Sequence, residues 1–299
     1  MPDLLAFERS ARELRQDKPH LNTRPIRIRG LAVGESYLTY LNRRIPLEDP
    51  DAWTRALEAG ELCLDGKVLS QDTVIQSNSR LSHTRMEPAE PEINIHLSVV
   101  YEDKALLVLD KPHNLPVHPC GRYHHHSFSV IAEHAWPELT LKLVHRLDAA
   151  TSGLLLLAKT ASVARDLVHQ FEHRRVKKSY LARVYPEPTW TKFECNEPIG
   201  THRLDRGSRG ISKNGQEART RFVHQGHGIV EAQPITGRTN QIRVHLSQLR
   251  HPIMGDTLYG GAAAHRLFLH ASTLQCLHPL TQEELLFHSA APQFGSDSR

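Results

Sequence analysis

Val144-His145-Arg146-Leu147-Asp148-Ala149-Ala150-Thr151-Ser152-Gly153 runs straight into Leu154-Leu155-Leu156-Leu157-Ala158, and the reading of this stretch decides the fold. The short apolar run bounded by polar residues has the pattern of a buried strand. The residues before it are then a polar loop held against the core. From the residues alone two uses of that loop stay open. Asp148, Thr151, Ser152 and Gly153 can form a turn, with the aspartate bonding nearby amides. Alternatively, Asp148 is presented on a loop set by rigid structure, where catalytic groups are often placed, and a carboxylate there can be a nucleophile.

Downstream, Thr160 or Ser162 is placed to cap a helix whose one face carries Val163, Leu167, Val168 and Phe171. Between Lys159 and Tyr185 there are seven Lys/Arg against Asp166 and Glu172, a local +5 that includes Arg174, Arg175, Lys177 and Lys178. With Tyr180 and Tyr185 interleaved, the segment suits a polyanion. Further strands are expected at Ile93–Leu97, Ala105–Leu109, Tyr180–Tyr185, Arg219–His224, Ile229–Gln233 and Leu267–His270, and a helix carries Ile242, Leu246 and Leu249. Strands outnumber helices, so the fold class is α+β with a mixed, largely antiparallel sheet.

Upstream, Tyr37, Leu38 and Leu41 space like a helix face, Asp51 is placed to cap a second helix with Trp53, Ala56 and Leu57 inward, and Asp65-Gly66 turns a hairpin between Leu62–Leu64 and Lys67–Leu69. The chain therefore divides into a basic, irregular leader (1–29) with a short helix around Leu4 to Leu14, and a small α+β module (30–86). A linker follows at 87–92, where Glu87-Pro88-Ala89-Glu90-Pro91-Glu92 cannot form a regular element, then a larger domain (93–290) and a tail (291–299). Few packed contacts are expected across the linker, so removal of residues 1–88 is predicted to leave a folded remainder.

Several classes are excluded. No apolar run approaches the roughly 20 residues of a membrane span, and the start alternates apolar and charged residues, unlike a secretory signal; a cytoplasmic location is expected. Cys63, Cys120, Cys195 and Cys276 form no C-x-x-C pair, which argues against a disulfide scaffold or a thiolate metal site. The histidine-rich stretch His118 to His126 lacks the second cysteine and the H-x-E partner of a zinc deaminase, so no metal is expected there.

The loop and strand taken together, H-R-L-D-x-x-T-S-G-L-L-L-x-A-K, resemble the signature of RluA-type pseudouridine synthases. The resemblance extends through Leu109-Asp110-Lys111-Pro112, Pro116-Val117-His118-Pro119 and Lys178-Ser179-Tyr180, and through Thr236-Gly237-Arg238-Thr239-Asn240-Gln241-Ile242-Arg243-Val244-His245. It continues in His251-Pro252-Ile253-Met254-Gly255-Asp256, Tyr259-Gly260-Gly261 and Leu269-His270-Ala271. It implies a bent, mostly antiparallel sheet with a central active-site cleft, and the isomerisation of uridine to pseudouridine in ribosomal or transfer RNA without a cofactor.

By that resemblance Asp148 is the nucleophile, attacking either the anomeric carbon or the uracil ring. Tyr180 stacks on the flipped base and is a possible general base, Arg243 is the ion-pair partner of Asp148, and Arg146 fills the vacated stack, since a planar guanidinium stacks as lysine cannot. Arg238, just before the helix, is a phosphate contact, and His118 lies on a cleft loop near RNA. Arg174, Arg175, Lys177 and Lys178 complete the RNA-binding set. Two positions depart from the pattern: Asn240 stands where histidine is usual and, unable to shuttle a proton, reads as structural or RNA-contacting, and Leu115 follows Asn114 where glycine is favoured. Residues 30–86 resemble an S-four-like RNA-binding module, yet their six Lys/Arg face eight Asp/Glu, a poor balance for gripping phosphates. The expected partner is RNA, with no metal and no membrane, and the chain is expected to be a monomer. The competing reading is a catalytically silent RNA-binding protein on the same fold, which would need no nucleophile.

Overall fold

The computed structural model describes all residues except 27, 29–33, 48, 77–78, 202–207, 293 and 295–299. The chain forms two compact units, one of residues 16–90 and the other of residues 1–15 together with 91–299.

In the smaller unit, a four-stranded antiparallel sheet runs in the order His20–Ile26, Leu81–Glu87, Leu62–Leu64, Lys67–Val68. Asp65 and Gly66 take φ of 50° and 83°, the left-handed pair that a two-residue hairpin turn requires. Helices Tyr37–Arg44 and Ala52–Glu58 supply Tyr37, Tyr40, Leu41, Trp53 and Ala56 to a core completed by Leu62, Leu69, Ile75 and Leu81. Asp51 precedes the second helix but makes no capping bond; the competing carboxylate of Asp49 accepts from the Asp51 amide at 3.0 Å and pairs with Arg55.

The larger unit is built on a mixed, mostly antiparallel sheet. Its main path is Lys192–Cys195, Thr220–Gly226, Ile229–Pro234, Lys177–Arg183, Leu269–Leu277, Ser152–Ala158, Leu106–Lys111, Ser98–Glu102. The only parallel neighbours along it are Leu269–Leu277 and Ser152–Ala158. Both faces of its centre are covered, which is why the central strands read as unbroken apolar runs. Leu107, Leu109, Leu155 and Leu157 enter one core layer, while Leu106, Val108, Leu154, Leu156 and Ala158 enter the other, as the two-residue period of a strand dictates.

Helix Ala161–Glu172 starts at Thr160, whose hydroxyl accepts from the Val163 amide. It buries Val163, Leu167 and Gln170 and leaves Val168 exposed. Gln170 takes the inward place assigned above to Val168 because its amide exchanges two bonds with the backbone of Leu277, at 2.9 and 3.0 Å.

Two expectations are corrected. Ile93, Ile95 and Leu97 are not a strand. Asn94 turns the backbone there, its side chain accepting from the His96 amide at 3.1 Å while its own amide donates to the Asn114 carbonyl, a local bond of the kind that competes with sheet pairing. The short helix expected around Leu4 to Leu14 is present, but it is not part of a separate leader. Helix Leu4–Glu13, capped by Asp3, seats a fully buried Phe7 against Phe128 and Trp136, at ring separations of 5.8 and 5.4 Å, and the Trp136 indole donates to the Asp3 carbonyl. Residues 1–15 therefore belong to the larger unit, and a cut at residue 88 removes part of its core. His20–Ile26, assigned above to the leader, is a strand of the smaller unit. Most of the expected tail, 293 and 295–299, lies outside the described residues.

Candidate active site

Asp148 hangs on a loop pinned at both sides. Its carbonyl accepts from the Thr151 amide at 3.1 Å, and the next carbonyl, that of Ala149, accepts from the Leu115 amide and from the Lys111 ammonium at 3.0 and 3.2 Å. Lys111 is fully buried and also bonds the carbonyls of Pro112 and Leu115; burial pushes its pKa down to about 7, against the opposing field of Asp148. Beyond the loop, Gly153 has a φ of 109°, and a Cβ there would lie 2.3 Å from the Ala271 carbonyl oxygen. No other residue fits that approach of loop to strand.

His145 accepts from the Leu156 amide at 2.9 Å and stacks on Phe171. Burial, helped by the Lys178 charge, holds its pKa at about 3, so the ring is a neutral strut beneath the loop. Arg146, next along, is exposed and has no hydrogen-bond or ion-pair partner among the described residues.

The Asp148 carboxylate opens into a cleft of about 490 Å³ that gathers Arg146, Arg174, Lys178, Tyr180, Arg238, Asn240 and Arg243. His118, Arg175 and Lys177 do not line it. Lys177 is excluded by the strand alternation that turns Lys178 and Tyr180 inward. Arg243 approaches Asp148 at 3.6 Å, with side chains 13% and 26% exposed. Its principal partner is another acid: Nε and Nη2 both bond the carboxylate of Asp256 at 2.7 Å, Nη1 donates to Asn240 Oδ1, and the guanidinium lies over the Tyr259 ring. Burial works against the Arg243 charge, but Asp256 and Asp148 outweigh it, and its pKa is raised. Asn240 ends the loop before helix Gln241–Gln248 with a left-handed φ of 57° and donates to the Tyr259 hydroxyl. It is a bracket between Arg243 and Tyr259. Arg238 Nε donates to the Glu217 carbonyl at 2.9 Å, and Arg174 pairs with Glu217 at 3.2 Å.

Tyr180 presents its ring to the cleft with 9% exposure. Burial, with the Asp148 charge adding to it, raises its pKa well above that of free tyrosine, so the phenol holds its proton.

The model of the family described as RNA pseudouridylate synthase matches residues 105–248. An uncharacterized RNA pseudouridine synthase of Synechocystis is 32% identical over 231 residues, covering 75% of this chain and 79% of that protein. The chain belongs to the RluA-type pseudouridine synthase family. The human pseudouridylate synthase RPUSD2 is 34% identical over 262 residues, which span 84% of this chain and only 47% of that relative. Among solved structures, human RNA pseudouridylate synthase domain containing 4 superposes with a TM-score of 0.54 at 30% identity, covering 66% of this chain and 89% of that one.

Asp256, Tyr259, Lys111 and His145 were not among the site residues expected from the sequence. Gly255-Asp256 and Tyr259-Gly260 belong to the stretches that resemble the family, but nothing in their spacing says that Asp256 grips Arg243. Lys111 did carry a signal: two residues after Leu109 and four after Leu107, it falls on their strand face, and once enclosed there must find carbonyls.

Proposed function

We propose that this chain isomerises uridine to pseudouridine in RNA, with Asp148 as nucleophile. The observation that carries the reading is the Asp148 carboxylate standing 3.6 Å from an arginine whose two strongest bonds go to Asp256. Asp148 thus has a cation beside it without being locked into a bidentate pair, and its oxygens stay available for attack. Tyr180 forms the floor on which a flipped base stacks, and unpartnered Arg146 at the rim takes the place the base leaves in the RNA. The bond from the sugar to N1 of uracil breaks, the base turns, and C1′ bonds to C5; C5 loses a proton and N1 gains one. Because its phenol is protonated, Tyr180 acts here by stacking and hydrogen-bond donation, not as a resting base.

Ribosomal RNA is the substrate class we favour, since a Nitrosomonas europaea relative, 36% identical over 222 residues, is named ribosomal large subunit pseudouridine synthase D. The four cysteines are all unpaired, as suits a reducing cytoplasm, and the proposal has the chain act there as a monomer without a cofactor. The smaller unit is proposed to choose the site on long RNA. In the test, Asp148→Asn folds, by circular dichroism, and forms no pseudouridine in RNA that the unaltered chain modifies. Turnover near the original rate would overturn the nucleophile, and an unaltered chain that binds RNA but modifies none would establish the silent binding protein.

A further inference from the structure

The cations of the cleft are not equivalent. Arg243 is held by Asp256, Arg174 pairs with the Glu217 carboxylate, Arg238 donates to the Glu217 backbone carbonyl, and Arg146, without a partner among the described residues, is exposed to water. Lys178 has no hydrogen bond and no ion pair among the described residues. Its ammonium lies 5.5 Å from the centre of the Phe171 ring. Gly237 is also nearby, where a Cβ added to the glycine would lie 3.9 Å from Nζ. The surroundings are enclosed enough that burial lowers the lysine's pKa. A charge kept in such a place without a counterion is unfavourable, and strand pairing holds the backbone of Lys178 against Leu274. The cleft is therefore shaped around a cation whose partner has to arrive with a ligand.

Position says which part of the ligand that is. Lys178 and Tyr180 sit two residues apart on one strand face, roughly 6.6 Å along the strand. With a base on Tyr180 and its sugar at Asp148, the Lys178 ammonium shares one cleft with both, on the strand face that carries the base, so the group it meets is the phosphate of that nucleotide. We infer that Lys178 seats the phosphodiester adjacent to the target uridine, so that the RNA backbone enters the cleft along with the base. This rests on the reading of RNA as substrate.

The test is equilibrium binding of a twelve-nucleotide oligouridylate to the full chain over a range of salt. Each phosphate neutralised on a single strand contributes about 0.7 to the slope of log K against log salt. Lys178→Met is expected to lower that slope by about 0.7 and to weaken binding about tenfold at low salt, with Lys178→Arg retaining both. Lys104→Met, which removes an exposed charge outside the cleft, serves as the control and is expected to leave the slope in place. If Lys178→Met does not fold, Lys178→Gln gives the same comparison. An unchanged slope would overturn the inference, as would failure of the unaltered chain to bind the oligomer. Turnover lost in both Lys178→Met and Lys178→Arg with binding intact would overturn it too, since that pattern belongs to proton transfer. Pseudouridine formation is scored separately, so a chain that binds but does not isomerise counts against the proposed activity and not against the phosphate seat.

Discussion

Replacing Asp256 by asparagine removes the charge that holds Arg243 and keeps the shape. Asp256 is 1% exposed and receives two bonds of 2.7 Å from a guanidinium that is itself 13% exposed. In the variant one carboxylate oxygen becomes an amide that points donors at donors. Breaking a buried pair from one side costs about 3–5 kcal/mol, because the remaining charge stays buried. At about 2–4 °C per kcal/mol for a domain of this size, Tm should fall by roughly 6–20 °C. Among the described residues the freed guanidinium has one other ion-pair partner, Asp148, now at 3.6 Å. Arg243 should close on it, and a nucleophile displaced by about 1 Å costs on the order of a hundredfold in rate. Thermal denaturation followed by circular dichroism gives the first quantity and single-turnover pseudouridine formation the second. An unshifted Tm with unchanged turnover would refute the assignment of Asp256 as the anchor of Arg243.

Gly153→Ala should abolish turnover and lower Tm, because its Cβ would meet the Ala271 backbone at 2.3 Å; a variant with normal melting would mean that the loop can retreat. The raised pKa of Tyr180 predicts no increase in rate between pH 8 and 10 from its ionisation, so a limb in that range that vanishes in Tyr180→Phe would contradict the protonated phenol. Lys111 holds its proton less tightly when folded, with a pKa of about 7, than in the unfolded chain. Its burial therefore costs stability at and below pH 7, and the cost fades as pH rises toward about 10; urea denaturation should show Lys111→Met, weaker overall, lacking that component of the rise. Phe7→Ala should cost about 3–5 kcal/mol in the stability of the larger unit, whereas a free leader would leave urea unfolding unchanged.

Legibility in the sequence followed the reach of the interactions. Period-two alternation and the short hairpin are local, and Asp65-Gly66 and Leu154 to Ala158 behave as their residues alone require. The turn that carries Asp148 was legible because Asp148, Thr151 and Gly153 lie within a few positions of one another. What stayed hidden was pairing across the fold. Arg243 chooses Asp256, thirteen residues on, and Gln170 replaces Val168 on the inward face because of a strand more than a hundred residues away. At Ile93 to Leu97 the alternation was real, but the asparagines used the backbone groups that a strand would have needed.

The membership of residues 1–15 in the larger unit bears on how the chain is made. Synthesis delivers helix Leu4–Glu13 well before its seat, since Phe128 and Trp136 emerge more than a hundred residues later. In the interval the smaller unit, whose core lies entirely between Ile26 and Leu81, can already collapse on the ribosome. Its folding gathers the intervening chain, so the loop that the early helix must close is shorter than the number of residues suggests. Until that closure Phe7 is without shelter, and a ribosome that stalls before Trp136 would present an apolar helix for chaperones to bind.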